Sequence, residues 1–263
     1  VTTVHVDRRA GEVFVVTTDG ALVDRREFAD GDRFHPGGVS ADPDGVWIAL
    51  AEYRPRSTTT LLRLDHDLDV VARVAFDDHL GAVCPLADDT LVAVSWASTR
   101  WYRLDHDLDV VARVAFDDHL GAVCPLADDT LVAVSWASTR WYRLDPDGQV
   151  LDWRRGSNRY VDVQDLQPLT DGSVAGTGFG HLTTPAGTVP IGGVSVVDVD
   201  TLAPTHESPI AAWMPSGRPA TYNATHLDAR ADGSVELHCL VDDTTADLGH
   251  WVTDTLTPTM ASS

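Results

Sequence analysis

Apolar runs of about six residues alternate along most of this chain with short polar turns rich in Asp and Gly. Leu80–Leu86 is one such run and closes on Asp88-Asp89. Thr90–Trp96, Arg100–Asp105 and Val110–Phe116 are the next three. Each is rich in Val, Leu, Thr or aromatic residues and close to strand length, about five or six residues. Val110–Phe116 also suits a helix, but its shortness and the Asp pairs around it favour a strand. The segment 63–102 then recurs without a change at 103–142, and Arg-Leu-Asp appears a third time at 143–145. Four strands of about six residues and four loops of about four make about forty residues. A four-stranded antiparallel unit repeated in tandem at that length predicts a β-propeller blade. A helical solenoid needs a 3.6-residue period, which is not found.

The 263 residues hold about six such units, read as 1–34, 35–78, 79–118, 119–161, 162–222 and 223–263 of a single all-β domain. The first and last offer three clear strands each, so the end blades are expected to be incomplete. The fifth unit carries an insertion, Gly178–Gly193, between its second and third strands. Two adjacent identical blades present the same strand edges, which invites mispairing during folding.

Charge narrows the partners. The net charge is −21 and the pI about 4.6. All 19 basic residues are Arg, and Asp greatly outnumbers Glu. Such a surface repels nucleic-acid phosphates and anionic membranes, so neither is an expected partner. At about 1 M salt the Debye length falls to about 3 Å and self-repulsion fades. Adaptation to high salt is one reading of this composition and codon bias the other. If the first holds, the unfolding midpoint rises between low and molar salt; an unchanged midpoint leaves the second. No run of 18 apolar residues predicts a membrane span, and a cytoplasmic location is expected. The chain starts at Val1 rather than Met, and a lost leader is compatible with that. Cys84, Cys124 and Cys239 lack a CxxC partner and read as buried reduced thiols.

Blade geometry predicts where a site would lie. In an up-and-down blade, the loop entering the first strand and the loop joining the second to the third share one face. The entering segments carry His35, His79, His119, Asp162, Gln164, Asp165 and Asn223. The second-to-third segments carry Glu52, Arg54, Trp96, Arg100, Trp136 and Arg140. Polar, ionisable and aromatic groups therefore converge at one mouth of the channel, the usual setting of a ligand site. His35, His79 and His119 with Asp162 and Asp165 could hold one divalent metal ion at about 2.0–2.1 Å per imidazole nitrogen. The competing reading has them cap backbone amides. Glu52 is the candidate catalytic group near a substrate, or else pairs with Arg54. Trp96 and Trp136 with Arg100 and Arg140 could stack a ring or an anion, or else the indoles pack between blades. No GxSxG, HExxH, P-loop, GxGxxG or EF-hand pattern is found.

The motifs HPGG at 35–38, AEYRP at 51–55, SWASTR at 95–100, YVDVQD at 160–165 and IGGVSVVD at 191–198 resemble, in this order, an uncharacterised β-propeller family, a domain of unknown function. The resemblance runs from about Gly20 to Asp243. It implies a compact propeller with no assigned reaction and a Ser-Trp blade carried once, so that this chain has one blade duplicated. The resemblance also implies a further HPxG-type strand before Val1. Three functions follow as expectations. The first is binding or sensing of a small molecule at the channel mouth. The others are a metal-dependent hydrolase or lyase at the same place, and a protein-interaction scaffold.

Overall fold

The computed structural model describes residues 2–17, 21–54, 56–159, 161–214, 216–222, 225–229, 235–241 and 250–256. They form six antiparallel sheets in chain order, arranged as the blades of a propeller. The first blade has three strands, β1 (Thr2–His5), β2 (Ala10–Val16) and β3 (Leu22–Phe28). The second has β4 (Arg33–Asp42), β5 (Gly45–Glu52), β6 (Thr59–Leu64) and β7 (Val70–Phe76). The third has β8 (Leu80–Pro85), β9 (Leu91–Ser95), β10 (Arg100–Leu104) and β11 (Val110–Ala115). The fourth has β12 (Leu120–Pro125), β13 (Leu131–Ser135), β14 (Arg140–Leu144) and β15 (Val150–Arg155). The fifth has β16 (Asp162–Pro168), β17 (Val174–Thr184), β18 (Gly187–Asp198) and β19 (Ala203–Ile210). The sixth again has three, β20 (Thr225–Ala229), β21 (Val235–Val241) and β22 (His250–Leu256).

Period two explains how the blades pack. In β9, Leu91 and Ala93 face the second blade and join Trp47, Ala49 and Leu61. Val92 and Val94 point the other way and join Leu131, Ala133 and Tyr142 of the fourth. One blade further on, Val132 and Val134 of β13 meet Val163, Leu166 and Val174 of the fifth. A strand buried on both faces loses its polar alternation and reads as a continuous apolar run, as LVAVS does. Five apolar clusters of this kind join consecutive blades among the described residues. Each fully buried Val or Leu contributes about 1.5–3 kcal/mol to that packing. Outer strands alternate instead: Val71 and Val111 are exposed while Phe76 and Phe116 turn inward.

The duplicated blades adopt one register. Trp101 pairs with Val94 as Trp141 pairs with Val134, and both fourth strands bulge, at Val111 and Leu151, opposite Leu104 and Leu144. Trp101 and Trp141 are wholly buried. The Trp101 indole donates to the Pro146 carbonyl at 3.2 Å, and Arg103 bridges Asp88 (2.6 Å) and Asp147 (2.7 Å) across the joint between blades. The three cysteines are free and buried. Burial pushes the Cys84 thiol up to about 12, so it stays protonated and inert.

One expectation is corrected here. The insertion at 178–193 is strand rather than loop: β17 and β18 continue paired out to Thr184 and Gly187. The hairpin carries Thr183, Thr184, Thr188 and Val189 near its tip, and Gly187 supplies the positive φ of the reversal.

Candidate functional site at the channel mouth

The first strand of each of four consecutive blades bulges at one place. The extra residue is Gly37 in β4, Gly81 in β8, Gly121 in β12 and Gln164 in β16. The residue after each bulge is Gly38, Ala82, Ala122 and Asp165. The residue two before it is His35, His79, His119 and Asp162. A bulge re-aims side chains and ends regular pairing, which is how such sites are made at barrel and sheet rims. Three blades leave the bulge bare. The fifth fills it with a carboxamide.

These strands line an axial channel of about 950 Å³ that also touches the inner strands of the first and sixth blades. His35, Gln164 and Asp165 are in its wall, and its other polar side chains include Thr3, Ser40 and Thr225. Two polar atoms among them are buried without a hydrogen-bond partner, His35 Nδ1 and Gln164 Nε2. At the mouth His119 Nε2 is a third. Buried donors and acceptors are nearly always paired, so such orphans mark where a ligand's polar atoms fit.

Above the channel an aromatic row crosses three blades. Tyr53 lies edge-on to His35 at 5.0 Å, and His35 is 6.2 Å from His79. Trp96 stands between His79 (5.1 Å) and His119 (5.7 Å), and His119 stacks on Trp136 at 5.6 Å. Burial holds all three imidazoles neutral: His35 falls to about 4, with His79 adding to the shift, and His79 and His119 are lowered too. An unfolded His35 takes up a proton below about 6.5, whereas the folded one waits until about 4, so stability falls as pH drops across that window. His35→Gln is expected to lose less stability than the parent over it, read from urea midpoints at its two ends. Parallel losses would remove this assignment. Asp162 works with the opposite sign, since burial pushes its carboxyl up to about 6 against the bonds from Ser138 and the Ala137 amide. The comparison of variants, not the raw profile, therefore isolates His35.

The metal set is not brought together. Among the described residues no three His, Cys, Asp or Glu side chains converge as a metal ion requires. The Trp96 ring separates His79 from His119, and His79 Nδ1 is engaged by Ser57 Oγ (2.7 Å) and the Arg54 carbonyl (3.3 Å). Asp162 turns to Ser138 Oγ at 3.4 Å, and Asp165 accepts the amides of Leu166 (2.9 Å) and Thr225 (3.4 Å). Glu52 takes the Arg54 guanidinium and the Thr58 hydroxyl (2.9 Å), and those bonds, Arg54 first, hold its carboxyl below the usual range.

Arg100 and Arg140 start third strands, away from the axis, 3.7 Å from Asp78 and Asp118. Arg140 also covers the Trp153 ring at 5.5 Å. Trp96 and Trp136 are at the mouth, while Trp101 and Trp141, which the sequence reading passed over, pack the blades. Asn223 lies outside the described residues. Sequence reasoning placed the segment 178–183 at the mouth without giving Phe179 a role and missed Tyr222; the two rings meet at 4.7 Å beside the channel. Phe179 pairs with Asp162 much as Trp136 follows the Leu120–Ser135 pair, a signal available only once register is known.

The sequence matches a family of unknown function, DUF6454, over residues 3–112 and 104–257. Among curated proteins none matches it. The fold is similar to that of hydrazine synthase from Kuenenia stuttgartiensis (TM-score 0.61, 11% identity), over 88% of this chain and 65% of that one. It is also similar to the Pan2 WD40 domain of Neurospora crassa (TM-score 0.58, 11% identity, 89% and 70%). Virginiamycin B lyase from Staphylococcus aureus is a third (TM-score 0.51, 10% identity, 95% and 88%). At such identity these likenesses concern the fold alone.

Proposed function

The chain belongs to DUF6454, a family of unknown function, and from that premise we propose that it is a small-molecule binding propeller whose ligand enters the axial channel at the His/Trp mouth. One observation carries this reading. Three consecutive blades keep the bulge free of a side chain at Gly37, Gly81 and Gly121, and the fifth directs Gln164, with an unpartnered Nε2, into the space. Here the wall joins an apolar surface that includes Val4, Val39, Val83, Val123 and Leu166 to a few hydrogen-bonding groups, the arrangement of a preformed pocket.

Gly121 offers the test. A Cβ there meets the Val163 carbonyl at 3.5 Å and the Trp136 backbone at 3.7 Å, ordinary contact distances, and its backbone is not in the left-handed region. Gly121→Leu is therefore expected to fold while its larger side chain takes channel volume. Compounds that bind the parent protein in ligand-observed NMR should lose binding in this variant. Gln164→Ala should weaken them about two- to tenfold, the span of one neutral hydrogen bond. A protein whose bound compounds are all indifferent to Gly121→Leu does not use the channel.

A further inference from the structure

Resting on that reading, we infer that the ligand is an organic cation, a protonated amine held against the Asp165 carboxylate in the channel wall. Asp165 occupies a position that the neighbouring blades fill with Gly38, Ala82 and Ala122, paired to the second strand in the same register. The carboxylate accepts two backbone amides, Leu166 and Thr225, and no Arg reaches it among the described residues. The chain has no Lys to do so. His226, also in the channel wall, turns its Nε2 to Asp228 at 3.1 Å. Burial pushes the Asp165 carboxyl above its ordinary value, and the Leu166 and Thr225 amides and nearby His226 only partly oppose this, so a cation bound beside it would recover the cost of keeping it ionised.

Nothing else in the wall favours an anion. Among the described residues the lining has no Arg, and its remaining polar side chains include Thr3, Ser40, Gln164 and the neutral His35. The surrounding field has the sign that concentrates cations, because the chain carries −21. At the mouth Tyr53, Trp96 and Trp136 present rings, whose faces attract ammonium groups and whose edges pack an apolar body. A cationic head at Asp165, a hydrogen-bond acceptor at Gln164 and an apolar or aromatic body toward the mouth together describe the ligand class.

The probe is a fragment set in which each aromatic or alicyclic body appears as its primary amine, its alcohol and its carboxylic acid. Binding is read by ligand-observed NMR against the full chain, Gly121→Leu and Asp165→Asn, with near-UV circular dichroism as the check that each variant is folded. The compounds lost in Gly121→Leu are expected to be amines. Their affinity should fall at least tenfold in Asp165→Asn, and should weaken with added salt. Alcohols binding as well as their amines, or amines unaffected by Asp165→Asn, would overturn the cation inference and leave channel binding standing. If no member of the set is lost in Gly121→Leu, the channel reading itself falls.

Discussion

Asp78→Ala is expected to destabilise the protein by about 3–5 kcal/mol, the range for breaking a buried, hydrogen-bonded charge. The same change at Asp118, its counterpart in an identical segment, should cost about 1–2 kcal/mol. Asp78 is nearly sealed, its side chain 6% exposed against 20% for Asp118. It accepts hydroxyls from Ser95 (2.8 Å), Ser98 and Tyr102 (2.6 Å) and the His79 amide (2.9 Å). Asp118 keeps only the Tyr142 hydroxyl (2.6 Å) and the His119 amide (2.9 Å). Ser135 turns instead to Thr139 at 2.8 Å, and Ser138 Oγ takes the Val163 amide of the next blade at 2.7 Å.

The backbone follows that difference. Ala137 and Ser138 are at φ 60 and 48, whereas in the other copy the positive φ falls on Thr99. Urea unfolding of the two alanine variants in one buffer decides the matter, and equal losses would refute the asymmetry. The pH dependence has a definite sign. Burial alone would raise the Asp78 carboxyl, but the bonds from Ser98, Tyr102 and Ser95 and the His79 amide outweigh it and hold the group below its ordinary value. Its stabilisation is thus fully present above about 3.9 and is lost as pH falls through the folded value.

That pair of residues also marks what a sequence can disclose. Strands, turns and the three-stranded end units were legible because period two and Asp/Gly turns are local signals. The convergence of His35, His79, Trp96, His119 and Trp136 was legible too, because antiparallel topology sets which loops share a face. Gln164 was singled out as a ligand contact on the same ground. Contacts between blades were not legible. They join residues some forty positions apart, and only register decides which of two adjacent indoles, Trp96 or Trp101, turns inward. Nor could forty identical residues reveal that Ser98 and Ser138 take different partners. The neighbour decides that: Leu120 follows the first loop, and Val163, whose amide donates to Ser138 Oγ, follows the second. The imidazoles come one per blade, with the Trp96 ring between His79 and His119, which is why they do not converge on one point.

Repeat logic would restore leucine at position 148, where the duplicated turn reads Leu68 and Leu108 at φ 59 and 66. Gly148→Leu is instead expected to destabilise by about 2–4 kcal/mol, combining overpacking of about 1–3 kcal/mol with about 1 kcal/mol for a side chain at positive φ. Gly148 sits at φ 80, and a Cβ there would be 2.6 Å from the Trp101 ring, whose indole bonds to Pro146 in the same turn. Leu108 escapes this because it packs in the preceding joint beside Trp47, Leu61 and Phe76. Trp101→Ala, at a site with no exposure, should cost about 3–5 kcal/mol. The two changes touch the same space, so they should not add. In the double variant the leucine occupies part of the void left by the indole, and the combined loss should fall short of the sum by about 1–2 kcal/mol. Strict additivity in urea-derived stabilities would mean that the turn and the indole do not lock the two identical blades together.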